Sequence, residues 1–422
     1  MKRRVLVVFP TAWDERQLAN LPETTRARYE LVLDEPGDAE ARWDIDLLAY
    51  VDERARRWRG RLDGVFSSSD YPGAAVAAAL AAELGLPGPS PAAVLRAGHK
   101  LLARELQRAA VPEVVPRFAA FDPGDERTWP PEQAFPCFAK PVRGSYSLHA
   151  RPLASRAELA AYAAAPALRE FQQYYPCLGE RLAERYEPAA RAARLFLAEE
   201  RLSGLQATFE GYLRGGRLHP LGVVDTEFHP GTRSFAAFDL PSRLPEEVQA
   251  RMAHAAGAAA RALGLEDTLF NAEFLWDAER ERLGLIELNP RLCGQFGDLY
   301  AKVHGVHGYA VALALACGEE PPRAHGAGPC AAAASLPLRT FRSVRVAHAP
   351  TPEELRAAEA LFPHTLAWSD CRTGDELCVG PTLEDGASAR YAVLNLGGAS
   401  RAELRACRAR LETTLGYRFT PP

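Results

Sequence analysis

The 422-residue sequence predicts a chain of mixed α/β and α+β architecture with several domains. Residues 1–90 alternate short apolar strands with helices, which is the pattern of a parallel sheet covered by helices. Residues 330–422 instead predict strand, helix, further strands and a final helix, a small α+β appendage. The apolar fraction of 47% and the charged fraction of 25% are typical of a globular protein.

Charge, hydropathy and cysteine usage exclude several classes of protein. The net charge of −4 gives no electrostatic basis for binding nucleic acid or an anionic membrane. No apolar run approaches the roughly 20 residues of a membrane span. The apolar run at residues 5–9 stops at Pro10, so it predicts a β-strand and not a signal peptide. The eight scattered cysteines, without a Cys-x-x-Cys pair, indicate reduced thiols in a cytoplasm and no structural zinc.

The N-terminal region predicts strands at residues 5–9, 29–33 and 64–67, with helices at 48–58 and 71–84. The third strand is followed directly by Ser67-Ser68-Ser69-Asp70. A polar run at the carboxyl end of a parallel strand is a place for a ligand. It is equally an N-cap for the next helix, and both interpretations stay open.

Lysine is rare in this chain, and its positions are therefore informative. Lys and Arg together number 50, of which only Lys2, Lys100, Lys140 and Lys302 are lysine. A bias that replaced lysine by arginine would spare positions that need a compact ammonium. Lys140 lies on an apolar strand, residues 135–142, before the Gly/Ser loop 143–147, whose N–H groups could cover phosphates. The alternatives are a solvated strand edge for Lys140 and a surface helix terminus for Lys100.

Two predicted strands, residues 269–276 and 283–288, each carry one acid inside an apolar run. Paired as a hairpin, they bring Glu273 and Glu287 near one face, with Asn289 and Arg291 just beyond. Buried carboxylates need a compensating cation or donor. Two carboxylates and an amide oxygen suit Mg²⁺, or Mn²⁺, that carries substrate phosphates. The alternative is a pair of edge acids facing solvent.

The segments on either side of this hairpin supply fewer candidates. Strands are predicted at residues 195–198, 206–213 and 218–225, with a helix at 245–263. Residues 156–194 are helical and charged, and no chemistry is assigned to them. Asp298 could hold an ammonium or cap a helix, and Gln295 lies close to it in sequence. Arg233, in the polar segment 225–234, could bind a substrate carboxylate or be a plain loop arginine.

Taken in order, these motifs resemble the ATP-grasp superfamily, of the carboxylate–amine ligase type, over about residues 1–325. The resemblance implies a pre-ATP-grasp domain at 1–90, a lysine and lid subdomain at 91–198, a metal-binding subdomain at 199–325 and a C-terminal domain at 330–422. It also implies that Glu273, Glu287 and Asn289 bind the metal and that Arg291 and Lys140 act on the transferred phosphoryl group. Binding of ATP would fall to the two lysines, the mobile loop, the adenine hinge and a ribose contact: Lys100, Lys140, Gly144, Ser145, Ser147, Glu199, Glu200, Arg201, Leu202 and Gln206.

The resemblance implies an enzyme that uses ATP to join a small-molecule carboxylate to an amine through an acyl phosphate. Two alternatives remain: a biotin-carboxylase-like enzyme that activates bicarbonate, and an ATP-binding regulator without catalysis. The chain holds no biotin-accepting Met-Lys-Met, so the first would need a partner protein. The sequence leaves both a monomer and a homodimer open, and it does not identify either substrate.

Overall fold

The structure, a computed structural model, describes residues 2–34, 45–145, 147–191, 194–324, 326–380 and 388–422. Tyr146, in the predicted phosphate-covering loop, lies outside these residues. The described residues form four sheets with helices packed on their faces. Among them, no helix combines the length and the apolar character that crossing a membrane requires. All eight cysteines are free thiols.

The N-terminal region is a parallel sheet in the order β2-β1-β3, as the alternation of strands and helices predicts. Its central strand is fully buried from Val5 to Val8, which is expected when helices cover both faces. The strands are β1 (Arg3–Val8), β2 (Tyr29–Asp34) and β3 (Gly64–Phe66). The helices are α1 (Ala12–Ala19), α2 (Glu23–Arg26), α3 (Leu47–Trp58) and α4 (Gly73–Leu84).

Two helices, α5 (Pro91–Gly98) and α6 (Lys100–Ala110), lead from this sheet to the next. His99 separates them: it ends α5, and its Nδ1 accepts a hydrogen bond from the Leu102 N–H at 3.3 Å. This N-cap sets Lys100 at the first position of α6. The Lys100 N–H donates to the Val142 carbonyl at 2.8 Å, which joins α6 to the end of the lysine strand.

The second sheet has the order β4-β7-β5-β6 and carries Lys140. Its elements are β4 (Phe118–Phe121), β5 (Cys137–Pro141), β6 (Arg151–Leu153), α7 (Arg156–Ala163), α8 (Pro166–Tyr174), α9 (Glu180–Tyr186) and β7 (Phe196–Glu200). The helical segment, residues 156–194, has a structural role that the sequence does not reveal. Arg143, just after β5, is 1% exposed and donates to the carbonyls of Pro176 and Ala190, so these helices anchor the start of the Gly/Ser loop.

The third sheet is the largest and runs β12-β11-β8-β9-β10-β13-β17-β15. One face packs against α10 (Glu246–Leu263), and the other packs against α11 (Gly297–His304), α12 (Gly308–Ala316) and the N-terminal sheet. Its first five strands are β8 (Leu205–Arg214), β9 (Arg217–Phe228), β10 (Phe235–Leu240), β11 (Thr268–Asp277) and β12 (Arg282–Asn289).

The C-terminal region extends this large sheet and adds a small one of its own. Strands β13 (Ala332–Thr340), β15 (Leu366–Ser369) and β17 (Ala389–Gly398) continue the large sheet beyond β10. The order β16-β14-β18 forms the small sheet. Its elements, with the two flanking helices, are β14 (Val344–His348), α13 (Pro352–Leu361), β16 (Glu376–Leu377), α14 (Arg401–Leu415) and β18 (Arg418–Thr420).

Two strands of the large sheet, β10 and β13, are absent from the sequence prediction. β13 begins Ala-Ala-Ala-Ser and contains Pro337, and alanine and proline are both depleted in strands. It forms because β10 and β17 pair with it on either side and bury its alternate residues. Tertiary packing therefore overrides the local propensity of this segment.

Candidate active site

The predicted acid hairpin forms, with Glu273 of β11 directly opposite Glu287 of β12 and Asn271 opposite Asn289. The register shifts after Glu273, where Ile286 is the extra residue of a β-bulge. A bulge re-aims side chains and frees carbonyl groups from the ladder. Here the free Ile286 carbonyl accepts a hydrogen bond from Lys140 Nζ at 3.0 Å, so the bulge brings the lysine strand to the acid pair.

The two carboxylates have unequal electrostatic environments. Burial, reinforced by the charge of Glu287, raises the pKa of Glu273 to about 8. Burial also opposes ionisation of Glu287, but the cations Lys100, Lys140 and Arg291 overcome it and lower the pKa of that carboxyl. Lys100 Nζ lies 3.5 Å from Glu287 Oε2. Arg291 and Lys100 lower the pKa of Glu273 by less than burial and Glu287 raise it, so a bound divalent cation would favour the ionised form of this carboxyl.

Lys140 belongs to a buried charge cluster with Glu199 and Arg104. Glu199 contacts Lys140 Nζ at 2.8 Å and Arg104 Nε at 2.6 Å. Burial opposes the charge of Glu199, yet Arg104 and Lys140 lower the pKa of its carboxyl to about 2. Arg104 also donates to the Leu285 carbonyl at 2.9 Å. Sequence reasoning missed Arg104, because one arginine on an amphipathic helix gives no signal among so many.

The four residues expected at the adenine hinge, Glu199 to Leu202, divide into two groups. Glu199 pairs with Phe118 and Phe138 within the second sheet (the lid sheet), and its carboxylate binds Lys140, so its side chain anchors that lysine. The residues after it border a cavity of about 300 Å³, a size within the range of ligand pockets. The cavity is lined by Glu200, Arg201, Leu202, Ser203, Leu275, Asp277, Arg280, Arg282 and Gly284.

Glycines shape this cavity. Leu202 lies over Gly284, where a Cβ would stand 2.6 Å from a Leu202 methyl carbon. Gly204 has φ +118°, and a Cβ there would stand 2.1 Å from the Trp276 carbonyl oxygen. The hinge can therefore approach β11 closely only because no side chain is present at Gly204.

Gln206, the residue expected to contact the ribose, lies beside the acid pair. It lies on β8 opposite Leu275, and its Nε2 donates to Glu273 Oε2 at 3.1 Å. In this structure Gln206 holds the Glu273 carboxylate, and its contact with a ribose stays a prediction. An amide donor can satisfy that oxygen whether or not a proton is bound to the other.

The Gly/Ser loop contacts the first lysine. Lys100 Nζ donates to the Gly144 carbonyl at 2.7 Å. Ser145 is 5% exposed, and its Oγ has no hydrogen-bond partner among the described residues. Ser147 is exposed with φ 55°. Buried hydroxyl groups are normally paired, so Ser145 Oγ is a candidate for contact with a ligand oxygen.

Arg291 reaches across to the N-terminal sheet. Its guanidinium lies 3.1 Å from Asp70 Oδ2, in the polar run that follows β3. Asp70 also adds to the forces that raise the pKa of Glu273. The ligand-site interpretation of the Ser/Asp run is therefore favoured, because Asp70 lies among the acids and cations of the hairpin.

Glu210 is a buried acid that sequence reasoning missed. It lies on β8 opposite Asn271, is 0% exposed, and accepts hydrogen bonds from the Cys293 N–H at 2.7 Å and the Tyr300 hydroxyl at 2.9 Å. Burial raises its pKa to about 7 despite these donors. Its carboxyl thus holds the segment that follows Arg291. The available signal was an acid within the apolar strand 206–213.

Two residues expected at the substrate pocket are bound to other parts of the protein. Asp298 is 2% exposed and is bound by Lys302, by Gln17 Nε2 at 2.8 Å and by Asn395 Nδ2 at 2.6 Å. Gln295 Nε2 donates to Ser335 Oγ at 2.7 Å. Asp298 therefore joins α11 to α1 and β17, and Gln295 joins the turn before α11 to β13, while the substrate contacts of both residues stay predictions.

Arg233 remains near the cleft. Its guanidinium lies 5.0 Å from the centre of the Phe138 ring. Phe138 is two residues before Lys140 on β5, so both side chains project from one face of the lid sheet. The loop that carries Arg233 therefore reaches from the large sheet to the lid sheet beside the second lysine.

Residues 133–298 match the family model described as the ATP-grasp domain. This span contains the second lysine, the hinge, both acids, Asn289 and Arg291. The chain carries an ATP-grasp domain. The resemblance drawn from the motifs and the predicted fold class are thereby confirmed. Comparison with curated protein sequences gives no match.

Solved structures agree with the assignment of an ATP-grasp domain. L-amino acid ligase from Bacillus licheniformis is similar with a TM-score of 0.69 at 16% identity, over 100% of this chain and 99% of that one. Biotin carboxylase from Campylobacter jejuni gives 0.66 at 14% identity, over 100% and 93%. Phosphoribosylglycinamide synthetase from Anaerococcus prevotii gives 0.64 at 12% identity, over 100% of both chains. At such low identity these similarities establish the fold alone.

Proposed function

We propose that this protein is an ATP-dependent ligase that activates a carboxylate as an acyl phosphate and joins it to an amine. One observation carries the proposal: the opposed acids Glu273 and Glu287 lie beside Lys100, Lys140 and Arg291. Phosphoryl transfer needs positioned charge and no protein nucleophile, and this cluster supplies both acids for a metal and cations for phosphate oxygens.

The donor set fits a magnesium ion that carries nucleotide. Glu273, Glu287 and Asn289 would hold Mg²⁺, or Mn²⁺, with Asn289 binding through its amide oxygen. No third Asp, Glu, His or Cys joins the two acids among the described residues. When bound, the ion supplies neutralisation of phosphate charge. Within the protein, Gln206 fixes the orientation of Glu273 through its 3.1 Å hydrogen bond.

The reaction would proceed in two steps, and the cationic residues would stabilise the charge that develops. The substrate carboxylate oxygen attacks the γ-phosphorus, the bond from that phosphorus to the bridging oxygen breaks, and ADP leaves. The amine nitrogen then attacks the acyl carbon, phosphate leaves, and the amine loses a proton. Lys100 and Lys140 would neutralise the phosphate oxygens. Arg291 would face the developing charge, where removal of one such donor typically costs about 3–4 kcal/mol.

Hinge and loop would supply binding and closure. Glu200, Arg201 and Leu202 border the cavity in which an adenine ring would lie, against Leu275 on the same strand face as Glu273. Gly144, Ser145 and Ser147 would cover the phosphates and exclude water, which otherwise hydrolyses an acyl phosphate. Transfer of the Lys100 ammonium from the Gly144 carbonyl to a phosphate oxygen would free the loop to move.

Release of ADP tests the proposal directly. The full-length protein is mixed with Mg²⁺-ATP and a panel of amino acids and other carboxylates, each alone and with an amine, and bicarbonate is included as a separate arm. We expect release that requires both a carboxylate and an amine. If no pair raises ADP release above background, the ligase proposal is wrong, and release with bicarbonate alone would favour the carboxylase alternative.

The metal assignment has its own matched pair of variants. Glu287→Gln keeps the shape of the side chain and removes the charge opposite Glu273, so we expect at least a 100-fold loss of kcat, about 2.7 kcal/mol of barrier. Glu279→Gln changes an exposed acid on the turn of the same hairpin and should leave activity unchanged. Normal turnover by Glu287→Gln would contradict the metal role.

A further inference from the structure

Four phenylalanine rings form a continuous row on the large sheet. Successive ring centres lie 5.3 Å apart from Phe228 to Phe235, 4.9 Å from Phe235 to Phe238 and 5.0 Å from Phe238 to Phe296. The row grades from open to buried: Phe228 is 37% exposed, Phe235 is half-buried, Phe238 is 8% exposed and Phe296 is 4% exposed. One end of an otherwise packed aromatic stack is thus uncovered.

The row lies on the same face of the sheet as the acid pair. Glu273 is in register with Thr208, and Thr208 with Val224, so the three side chains share one face across β11, β8 and β9. Phe228 follows Val224 on β9 by four residues and therefore faces the same way. The rings therefore project from the face of the large sheet that carries the acids, and not from the opposite face, which α10 covers.

A second β-bulge builds this row. Phe235 and Phe238 are three residues apart on β10, a spacing that normally places side chains on opposite faces of a strand. Phe235 pairs with Phe228, Phe238 pairs with Thr226, and the register shift between Phe235 and Ala237 accommodates the extra residue. The bulge therefore turns both rings to the face of the acids, as bulges beside active sites often do.

An arginine lies on the loop at the open end of the row, and Arg291 precedes the buried end in the chain. Phe296 is five residues after Arg291, in the segment that Glu210 holds through the Cys293 N–H. At the other end, the loop from Phe228 to Phe235 carries Arg233, whose guanidinium lies over Phe138 beside the lysine strand. A ligand at the open end would have the rings along one side and the loop of Arg233 beside it. This combination fits a carboxylate that bears a large apolar group.

We propose that the row is the side-chain subsite of the carboxylate substrate, and that this substrate is an amino acid or other acid with an aromatic side chain. The inference rests on the proposed ligase function and specifies its substrate class. Aromatic rings gain from stacked or tilted contact with other rings beyond the burial of area. Phe228 and Phe235, which are partly uncovered, are the rings that would contact the ligand.

The test compares acids that differ only in side chain. ADP release is measured with ATP and one amine held constant while phenylalanine, leucine, alanine and aspartate are supplied as the acid. We expect kcat/KM for phenylalanine to exceed that for alanine by on the order of 100-fold, in line with 10–200-fold per methylene in a fitted pocket. Aspartate should be worst, because a charge would be buried against the rings.

Variants of the exposed rings locate the preference. Phe235→Ala should lower kcat/KM for phenylalanine at least 10-fold. The kcat/KM for alanine and the KM for ATP should be unchanged. Phe228→Ala should do the same to a lesser extent. Phe235→Leu keeps an apolar side chain in the core and should retain part of the preference, which guards against loss of folding. Leu361→Ala, at a 69% exposed position on α13, is the control and should change nothing.

The outcomes separate the two proposals. If no acid supports ADP release, the ligase function itself is wrong. If acids support release but phenylalanine gains nothing over alanine, or if Phe235→Ala lowers both equally, the aromatic subsite is wrong and the ligase function stands. Calorimetric titration of phenylalanine and alanine into the complex with a non-hydrolysable ATP analogue gives a second readout. Phenylalanine should bind more tightly to the unmodified protein and lose that advantage in Phe235→Ala.

Discussion

Replacing Glu210 by glutamine should change how the stability of this protein depends on pH. Glu210 is fully buried, and burial raises its pKa from 4.5 to about 7. The folded protein therefore retains this proton over a range in which the unfolded chain has lost it. Stability from this group is fully present below pH 4.5 and is lost as pH rises through 7. A displacement of this size corresponds to on the order of 3 kcal/mol.

Glutamine preserves much of the local structure. Its amide oxygen can accept the Cys293 N–H, now 2.7 Å from the carboxyl, while the charge is removed at every pH. The free energy of unfolding of Glu210→Gln should therefore rise relative to the unmodified protein by on the order of 3 kcal/mol from about pH 4.5 to 7, and then remain level. Any change in hydrogen bonding adds an offset that does not vary with pH.

Urea unfolding at several pH values on both sides of 7, without metal or nucleotide, measures this difference. Subtracting the two curves removes the contribution of every group that both proteins share, including Glu273. Glu279→Gln, an exposed acid on the β11–β12 turn, serves as the control and should show no such trend. A difference that stays flat across this range would mean that Glu210 is ionised in the folded protein, and the argument from burial would be wrong.

Three further substitutions test other contacts. Glu199→Ala should destabilise the protein by about 3–5 kcal/mol and weaken ATP binding, because Arg104 and Lys140 would be left buried without their shared partner; urea unfolding and nucleotide titration measure the two effects. Gly204→Ala should abolish stabilisation by ATP in a thermal melt, since its Cβ would stand 2.1 Å from the Trp276 carbonyl oxygen; an unchanged shift would refute the hinge geometry. Asp298→Asn should cost about 3–5 kcal/mol of stability through Lys302 but leave the KM for the amine unchanged, whereas a raised KM with normal stability would restore the substrate role.

Local patterns carried much of the fold prediction. The strand, the helix and the final helix predicted within residues 330–422 form as β14, α13 and α14, because each has a strong pattern and clear end signals. At the N-terminus of α13, for example, Thr351 caps and Glu354 completes a capping box. Strands β10 and β13 were not predicted because their alanine content carries no strand signal, and both partners of β13 are distant in sequence.

Some residues of the candidate site could likewise be predicted from the sequence, and others could not. Lys100 and Lys140 stood out because lysine is rare here, and Glu273 and Glu287 because acids within apolar strands need partners. The sequence did not reveal the contacts of Gln295 and Asp298, because nearness in sequence to β12 does not decide which way a side chain points. Their partners, Ser335, Lys302 and Asn395, lie mainly on other elements that the fold brings against α11.

The sequence by itself determined the order of the site motifs and the chemistry available to each, since residue type and local periodicity are local properties. Only the tertiary structure decided the partners: Arg104 and Glu199 behind Lys140, Asp70 against Arg291, and Glu210 beneath the segment after Arg291. It also decided the bulges at Ile286 and Ala236, which aim the acid hairpin and the phenylalanine row. Register shifts and long-range ion pairs depend on how separate strands pack, and no short window of sequence contains that information.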